Sequence, residues 1–165
     1  MPPSSPINRK EFPKPKPYVS NPIPFDVTKL EKEFSRAELQ FHRVDHSGAS
    51  YEARIFLNNP LATQQTEKTD VNGYVGSFHV FAHGGCFGDV GHCEVRSEKR
   101  DYDKRAAHSL TPAFKRVVIT EGLKKLAKNI SQITVTIVPI IKAGTDMCDY
   151  ENVLKFERIS LVTYD

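Results

Sequence analysis

The amino-acid sequence predicts a mainly β protein, an antiparallel β-sandwich or barrel with one or two short helices. Two observations carry that reading. At least six segments place apolar residues at every second position, the period that turns one strand face toward a core, whereas only the stretch after Thr120 has the spacing of a definite helix. Strands and helices do not alternate, so the rhythm of a parallel βαβ sheet is missing. No internal repeat is present.

With 165 residues the chain can bury one real core. It divides into an extended proline-rich arm, residues 1–25, and a single β-domain, residues 26–165. A formal net charge of +3 with 26% charged residues is ordinary. The basic run Lys99, Arg100, Lys104, Arg105 is interrupted by Glu98, Asp101 and Asp103, as in a solvated loop, so nothing points to nucleic acid. No run approaches the roughly 18 apolar residues of a membrane span, and the N-terminus has no hydrophobic signal core. The expectation is a soluble, cytoplasmic chain, exported only if a partner carries it. Three cysteines are too few for a disulfide scaffold and odd in number, which leaves Cys148 as the thiol expected to stay free or to pair outside the chain.

The arm holds eight of the eleven prolines with Lys10, Lys14 and Lys16. Proline lacks the N–H that a ladder or helix interior requires, so the arm is expected to form neither. It is either disordered or laid along this or a partner's surface through Phe12, Tyr18, Ile23 and Phe25. Residues 26–33 predict one or two helical turns capped by Asp26 or Thr28. A strand follows over 37–42, then a turn at Asp45-His46-Ser47-Gly48. His42 and His46, split between strand end and turn, read as solvated side chains. Tyr51 to Leu57 alternates again, Tyr51, Ala53, Ile55 and Leu57 against Glu52, Arg54 and Phe56, and stops at Asn58-Asn59-Pro60. Residues 61–72 are a polar connection. Beyond the glycine-rich region, 115–120 is a short strand, and Thr120 caps a helix with Leu123, Leu126 and Ala127 on its apolar face and Lys124, Lys125 and Lys128 outside. Ile133 to Ile141 is a β-branched strand whose Pro139 implies an edge or a strand end. Val153 to Tyr164 is the last strand, with a bulge near Arg158.

Tyr74 to Cys93 is the chemically distinctive stretch. Five of the nine glycines lie between Gly76 and Gly91, where backbone must turn sharply or pass close to something. Residues 74–82 read as a buried strand feeding a tight loop over 84–91. On a strand, His79 and His83 lie about 13 Å apart and cannot share an ion. In the loop, turns can bring His83, Cys86, His92 and Cys93 together, a sulfur and imidazole set suited to copper(I) or zinc. Their spacing matches no closed zinc motif, and Met147 is misplaced for a cupredoxin. A Cys86–Cys93 disulfide stapling the loop is the other reading. A third makes Cys86, with His83 or His92 as base, the nucleophile of a thiol-dependent enzyme.

The strings YEARIFLNNP, GYVGSFHVFAHG, KRVVITEGLKKLAKNISQITVTIVPI and LKFERISLVTYD come in an order that resembles the C-terminal β-domain of plant-type polyphenol oxidases and related tyrosinases, the type-3 copper proteins. The likeness runs from about Glu38 to Asp165 and rests on Gly76, Ser77, Phe78, His83, Leu123, Leu126, Val135 and Pro139. It implies an antiparallel β-domain that packs over the entrance to the dinuclear copper site of a catalytic domain, shields that site and is often cleaved away on activation. Cysteine-containing versions in related tyrosinases imply a part in copper loading. Two departures stand out: the helical catalytic domain with its copper-ligating histidines has no counterpart here, and the HGGCFGDVGHC loop goes beyond the plant pattern. The resemblance therefore implies a non-catalytic accessory domain that binds and shields a type-3 copper oxidase; read with the loop's own residues, Phe87 at its tip is the candidate to fill the partner's concave site, and His83, Cys86, His92 and Cys93 are the candidate ligands for copper delivery. The alternative is a structural module that holds copies together as a homo-oligomer through its N-terminal arm.

Overall fold

Alternation in the sequence becomes three antiparallel sheets in the computed structural model, which describes residues 14–24, 34–46, 48–81, 112–127, 131–141 and 151–165. The strands are β1 (Tyr18–Val19), β2 (Ile23–Pro24), β3 (Arg36–Val44), β4 (Tyr51–Leu57), β5 (Tyr74–Val80), β6 (Ala113–Val118), β7 (Gln132–Ile133), β8 (Val135–Ile140) and β9 (Arg158–Tyr164), with one helix, α1 (Thr120–Ala127). Their orders are β1-β8-β4-β5, β2-β7 and β6-β3-β9. The four-stranded and three-stranded sheets bury their inner faces on each other, so the architecture is a sandwich; no closed barrel forms among the described residues. The helical turns expected over 26–33 lie outside the described residues, as does the charged passage leading to Pro112.

The core follows from the period of two. Ala37, Leu39 and Phe41 on β3 meet Tyr51, Ala53, Ile55 and Leu57 on β4 and Val135 and Ile137 on β8, all buried. Phe41 packs against Phe78 of β5 with ring centroids 4.8 Å apart. Each of the Leu, Ile, Val and Phe side chains among these contributes on the order of 1.5–3 kcal/mol when fully removed from water. Helix α1 adds Leu123 and Leu126 to this core while Lys124 and Lys125 face solvent. Phe56 points away from it, yet is fully buried in a small cluster with Ala62 and Val138. The 58–73 connection supplies that cover: Arg54 donates to the Gln64 carbonyl, Gln64 to the Pro139 carbonyl, and Lys68 and Arg54 both reach the Glu52 carboxylate.

Several sequence expectations are corrected. The arm does enter ladders, in two-residue steps: Tyr18 and Val19 pair with Ile137 and Thr136, and Ile23 and Pro24 pair with Ile133 and Gln132. Short steps suffice because Ser20, between them, exchanges bonds with Val135: its N–H donates to the Val135 carbonyl, and its Oγ accepts from the Val135 N–H, each at 2.9 Å. The expected 133–141 strand is broken at Thr134, whose N–H donates to the Asn58 side chain. Pro139 sits inside β8, paired with Ala53 of β4. On its other side β1 has already diverged, since the Lys16 N–H goes to the Glu151 carbonyl, and proline is tolerated at this local edge. The bulge lies not at Arg158 but across from it on β3, between Phe41 and Val44, where Arg43 has φ 54°. The Thr120 hydroxyl accepts from the Ala37 N–H at 3.0 Å, tying the helix start to β3. Residues 153–157 are irregular, with Val153 buried and Phe156 edge-on to Tyr18.

Two glycines are required by geometry. Gly76, φ 145°, sits at a second bulge, where Ile55 pairs with Gly76 but Phe56 with Tyr74. A Cβ there would lie 2.7 Å from Cγ1 of Val117, so Gly76 lets β5 approach β6 and closes one side of the sandwich. Gly73, φ 77°, ends the 3-10 turn Asp70–Asn72 and accepts from the Leu57 N–H, and a Cβ would stand 2.3 Å from the Leu57 carbonyl oxygen. Gly73→Ala is expected to cost about 2–3 kcal/mol in urea unfolding. At Gly48 an added Cβ meets nothing within 4 Å, and Gly48→Ala is expected to stay within about 0.5 kcal/mol of the parent.

Candidate functional site

The residues proposed from the sequence as metal ligands, His83, Cys86, His92 and Cys93, and the partner-binding Phe87 lie outside the described residues, as does Cys148. What the structure places is their point of departure and return. β5 ends at Val80, paired with Tyr51, and β6 begins at Ala113, paired with Val44. Both therefore sit at the end of the sandwich where the 45–50 turn links β3 to β4. Phe81, 82% exposed, stacks on the His79 ring just before the segment begins. Tyr51 is at the same end. Burial, followed by the charge of Asp45, raises its phenol above the usual tyrosine range, and its hydroxyl has no hydrogen-bond partner among the described residues. No group of three or more His, Cys, Asp or Glu side chains able to hold a metal occurs among the described residues. His42 is not the solvated side chain expected from the sequence: its ring Nε2 lies 3.1 Å from Oγ of Ser160 and the ring packs edge-on to Phe114 at 5.3 Å.

That His42 contact belongs to an organised surface which the sequence reading passed over. The outer face of the β6-β3-β9 sheet carries the second alternating series of each strand. Arg36 stands beside Tyr164, and Glu38 stands between Val118 and Val162. Gln40 stands between Arg116 and Ser160, and His42 beside Arg158, with Phe114 at the corner.

At its centre a carboxylate is sunk. Glu38 is 1% exposed although it lies on the outer side of a sheet. Its burial is thin, made by neighbouring side chains rather than by depth. Arg36 Nη2 reaches Oε1 at 2.5 Å, while Gln40 Nε2 and the Tyr164 hydroxyl each donate to Oε2 at 3.2 Å. Gln40 Nε2 also lies within donating distance of the Tyr164 hydroxyl. Burial alone would raise this carboxyl; the Gln40 hydrogen bond, the Arg36 charge, the Tyr164 hydrogen bond and the Arg116 charge together outweigh it and hold the group below its ordinary value. The acid is thus ionised and internally satisfied, as a buried charge must be.

Around it the face is less settled. Phe114 is 52% exposed and Val118 49%. Arg116 and Arg158 are exposed, and neither forms an ion pair with a carboxylate among the described residues.

No family model and no curated protein matches the sequence. Solved structures match the fold. A recombinantly expressed latent aurone synthase, a polyphenol oxidase, aligns at TM-score 0.51 and 14% identity over 96% of this chain and 26% of that one. Latent aurone synthase from natural source aligns at TM-score 0.51 and 18% identity over 96% and 27%. The chain thus spans about a quarter of the length of the polyphenol oxidase structures it matches and shares the fold of that portion.

The depressed Glu38 carboxyl has a consequence for stability. Because its folded value lies below the ordinary 4.5, the unfolded chain takes up the proton first on acidification. The stabilisation is complete above that value and is lost as the pH falls through the folded one. Urea midpoints measured from about pH 7 to about pH 3 are expected to fall more steeply for the parent than for Glu38→Gln, with the divergence starting near the ordinary carboxylate range. Parallel curves would show that the group is not held in its charged form.

Proposed function

We propose that this chain is a non-catalytic accessory domain of a type-3 copper oxidase of the tyrosinase and polyphenol oxidase kind, one that covers the catalytic domain and assists its loading with copper. The observation that carries the reading is the proportion of the fold match: nearly all of this chain corresponds to about a quarter of a polyphenol oxidase, as one domain corresponds to its parent protein. The arrangement of the chain agrees with that role. Its strands are spent on a packed sandwich, and the loop bearing the unusual residues springs from one end of it.

In this reading Phe87 enters the concave site of the catalytic domain, since an aromatic side chain on a loop held by a rigid body anchors an interface at low entropic cost. His83, Cys86, His92 and Cys93 hold copper(I) as cargo. Thiolate and imidazole suit that ion, and a loop of glycines can release it as well as bind it.

Two experiments test the two halves separately. Added to the catalytic domain of a type-3 copper oxidase from the same organism, the chain is expected to slow diphenol oxidation in a saturable way, and Phe87→Ala is expected to relieve at least about tenfold of that inhibition, as a central aromatic anchor should. A chain that neither binds nor inhibits the oxidase overturns the shielding role. Under reducing conditions the chain is expected to take up one equivalent of copper(I) in competition with a chromophoric chelator. The Cys86→Ser, Cys93→Ser double variant is expected to lose that binding, and retention would remove the loading role.

A further inference from the structure

The two outer faces of the sandwich are treated differently by the chain. The outer face of the four-stranded sheet is roofed by the 58–73 connection, which buries Phe56 and ties down Glu52, Arg54 and Gln64. No described residue roofs the outer face of β6-β3-β9. The geometry points to this open face as the surface that seats the oxidase catalytic domain, on a patch of that domain where an apolar area is flanked by carboxylates. This inference rests on the proposed accessory role and names the surface that performs it.

Three features argue for a covered face of that chemistry. The first is the sunk acid. A solvent-facing sheet surface gains nothing by dehydrating a carboxylate, whereas on a surface that is to be covered each charge must be paired either beforehand within the face or by the partner across it, because a charge left alone in an interface is costly. Glu38 is already paired, by Arg36, Gln40 and Tyr164, so docking over it strips little further water. The second is apolar exposure: Phe114 and Val118, four residues apart along β6, are each about half exposed on this face and can become buried contacts when it is covered. The third is charge. Of the four ionised groups that the described residues place on the face, three are arginines and one is Glu38, and Arg116 and Arg158 lack an ion pair with a described carboxylate. A planar guanidinium takes a carboxylate in two-pronged fashion, so the complementary surface carries acids opposite these two. A second copy of the same face would instead set arginines against arginines.

The test uses the whole chain and the oxidase catalytic domain freed of any β-domain of its own, with binding read by titration calorimetry independently of activity. Arg116→Glu with Arg158→Glu is expected to weaken binding roughly tenfold or more and to reduce its salt dependence. Phe114→Ala is expected to weaken it without altering the melting temperature. The control Lys14→Glu with Lys124→Gln changes exposed cations that lie on the arm and on α1 rather than on β6, β3 or β9; once its melting temperature is matched to the parent's, since Lys124 stands over the Phe34 ring, it is expected to bind as the parent does. If the parent binds but the arginine variant binds equally well, the face is overturned while the accessory role stands. If the parent does not bind at all, both fall. If the parent self-associates without oxidase and the arginine variant is monomeric, the face belongs to a second copy and the inference is overturned.

Discussion

The inner face of β3 is the constraint on which the structure turns. β3 is the central strand of its sheet, with β6 on one side and β9 on the other, and Ala37, Leu39 and Phe41 are wholly excluded from water. Because side chains alternate, burying those three commits Arg36, Glu38, Gln40 and His42 to the opposite side, whatever lies there. The polar network of the outer face is thus not an independent feature. A register slip of one residue would put Glu38 in the hydrophobic core, at a cost no nearby hydrogen bond could recover, so core and outer network hold β3 to the same register.

The bulge at Arg43 shows how that register ends. One extra residue on β3 shifts its pairing with β6 between Phe41 and Val44 and brings Val44 back to the core side, where it is buried. Without it, alternation from Phe41 would turn Val44 outward. At the opposite flank the bulge on β5, made feasible by Gly76, sets that strand against Val117 of β6. Two irregularities, each a single residue, thus carry the inner faces through to the end of the sandwich and join its sheets.

Much of this was legible in the sequence, and the misses have physical causes. The period of two located β4, one face of which is core, and the helical spacing assigned Leu123 and Leu126 to the inner side of α1; the apolar run from Tyr74 located β5 but suggested a strand buried on both faces, whereas β5 is the edge of its sheet and His79 is exposed. It could not show why Phe56 belongs to the polar series of β4, since the roof that buries it is made by a connection with no periodicity. Richness in proline predicts an arm unable to pair, but a ladder of two residues needs only a few N–H groups, and Ser20 supplies the joint. The alternation Arg36, Glu38, Gln40, His42 was visible, but the burial of Glu38 was not. Two of its partners are neighbours along the strand, whereas the Tyr164 hydroxyl comes from 126 residues away, and only the fold makes that proximity. The loop residues drew attention by their chemistry, which sequence displays directly, whereas a docking face is a property of three strands together.

The end of the sandwich relates these two surfaces. The segment 82–111 leaves from Val80 and Phe81 and re-enters at Pro112 and Ala113, at the end defined by the 45–50 turn. The His42–Phe114 corner of the open face is at this same end, because Phe114 is the residue after Ala113 and its ring packs on His42. A partner seated on the open face therefore has its near edge beside the root of the segment that carries the cysteines. β6 presents Phe114, Arg116 and Val118 along that face and anchors the returning chain at Ala113, so under the proposed role a single strand would connect the covering contact with the loop. Because β6 is held along its length by β3, docking there would not be opposed by the ordering of that surface.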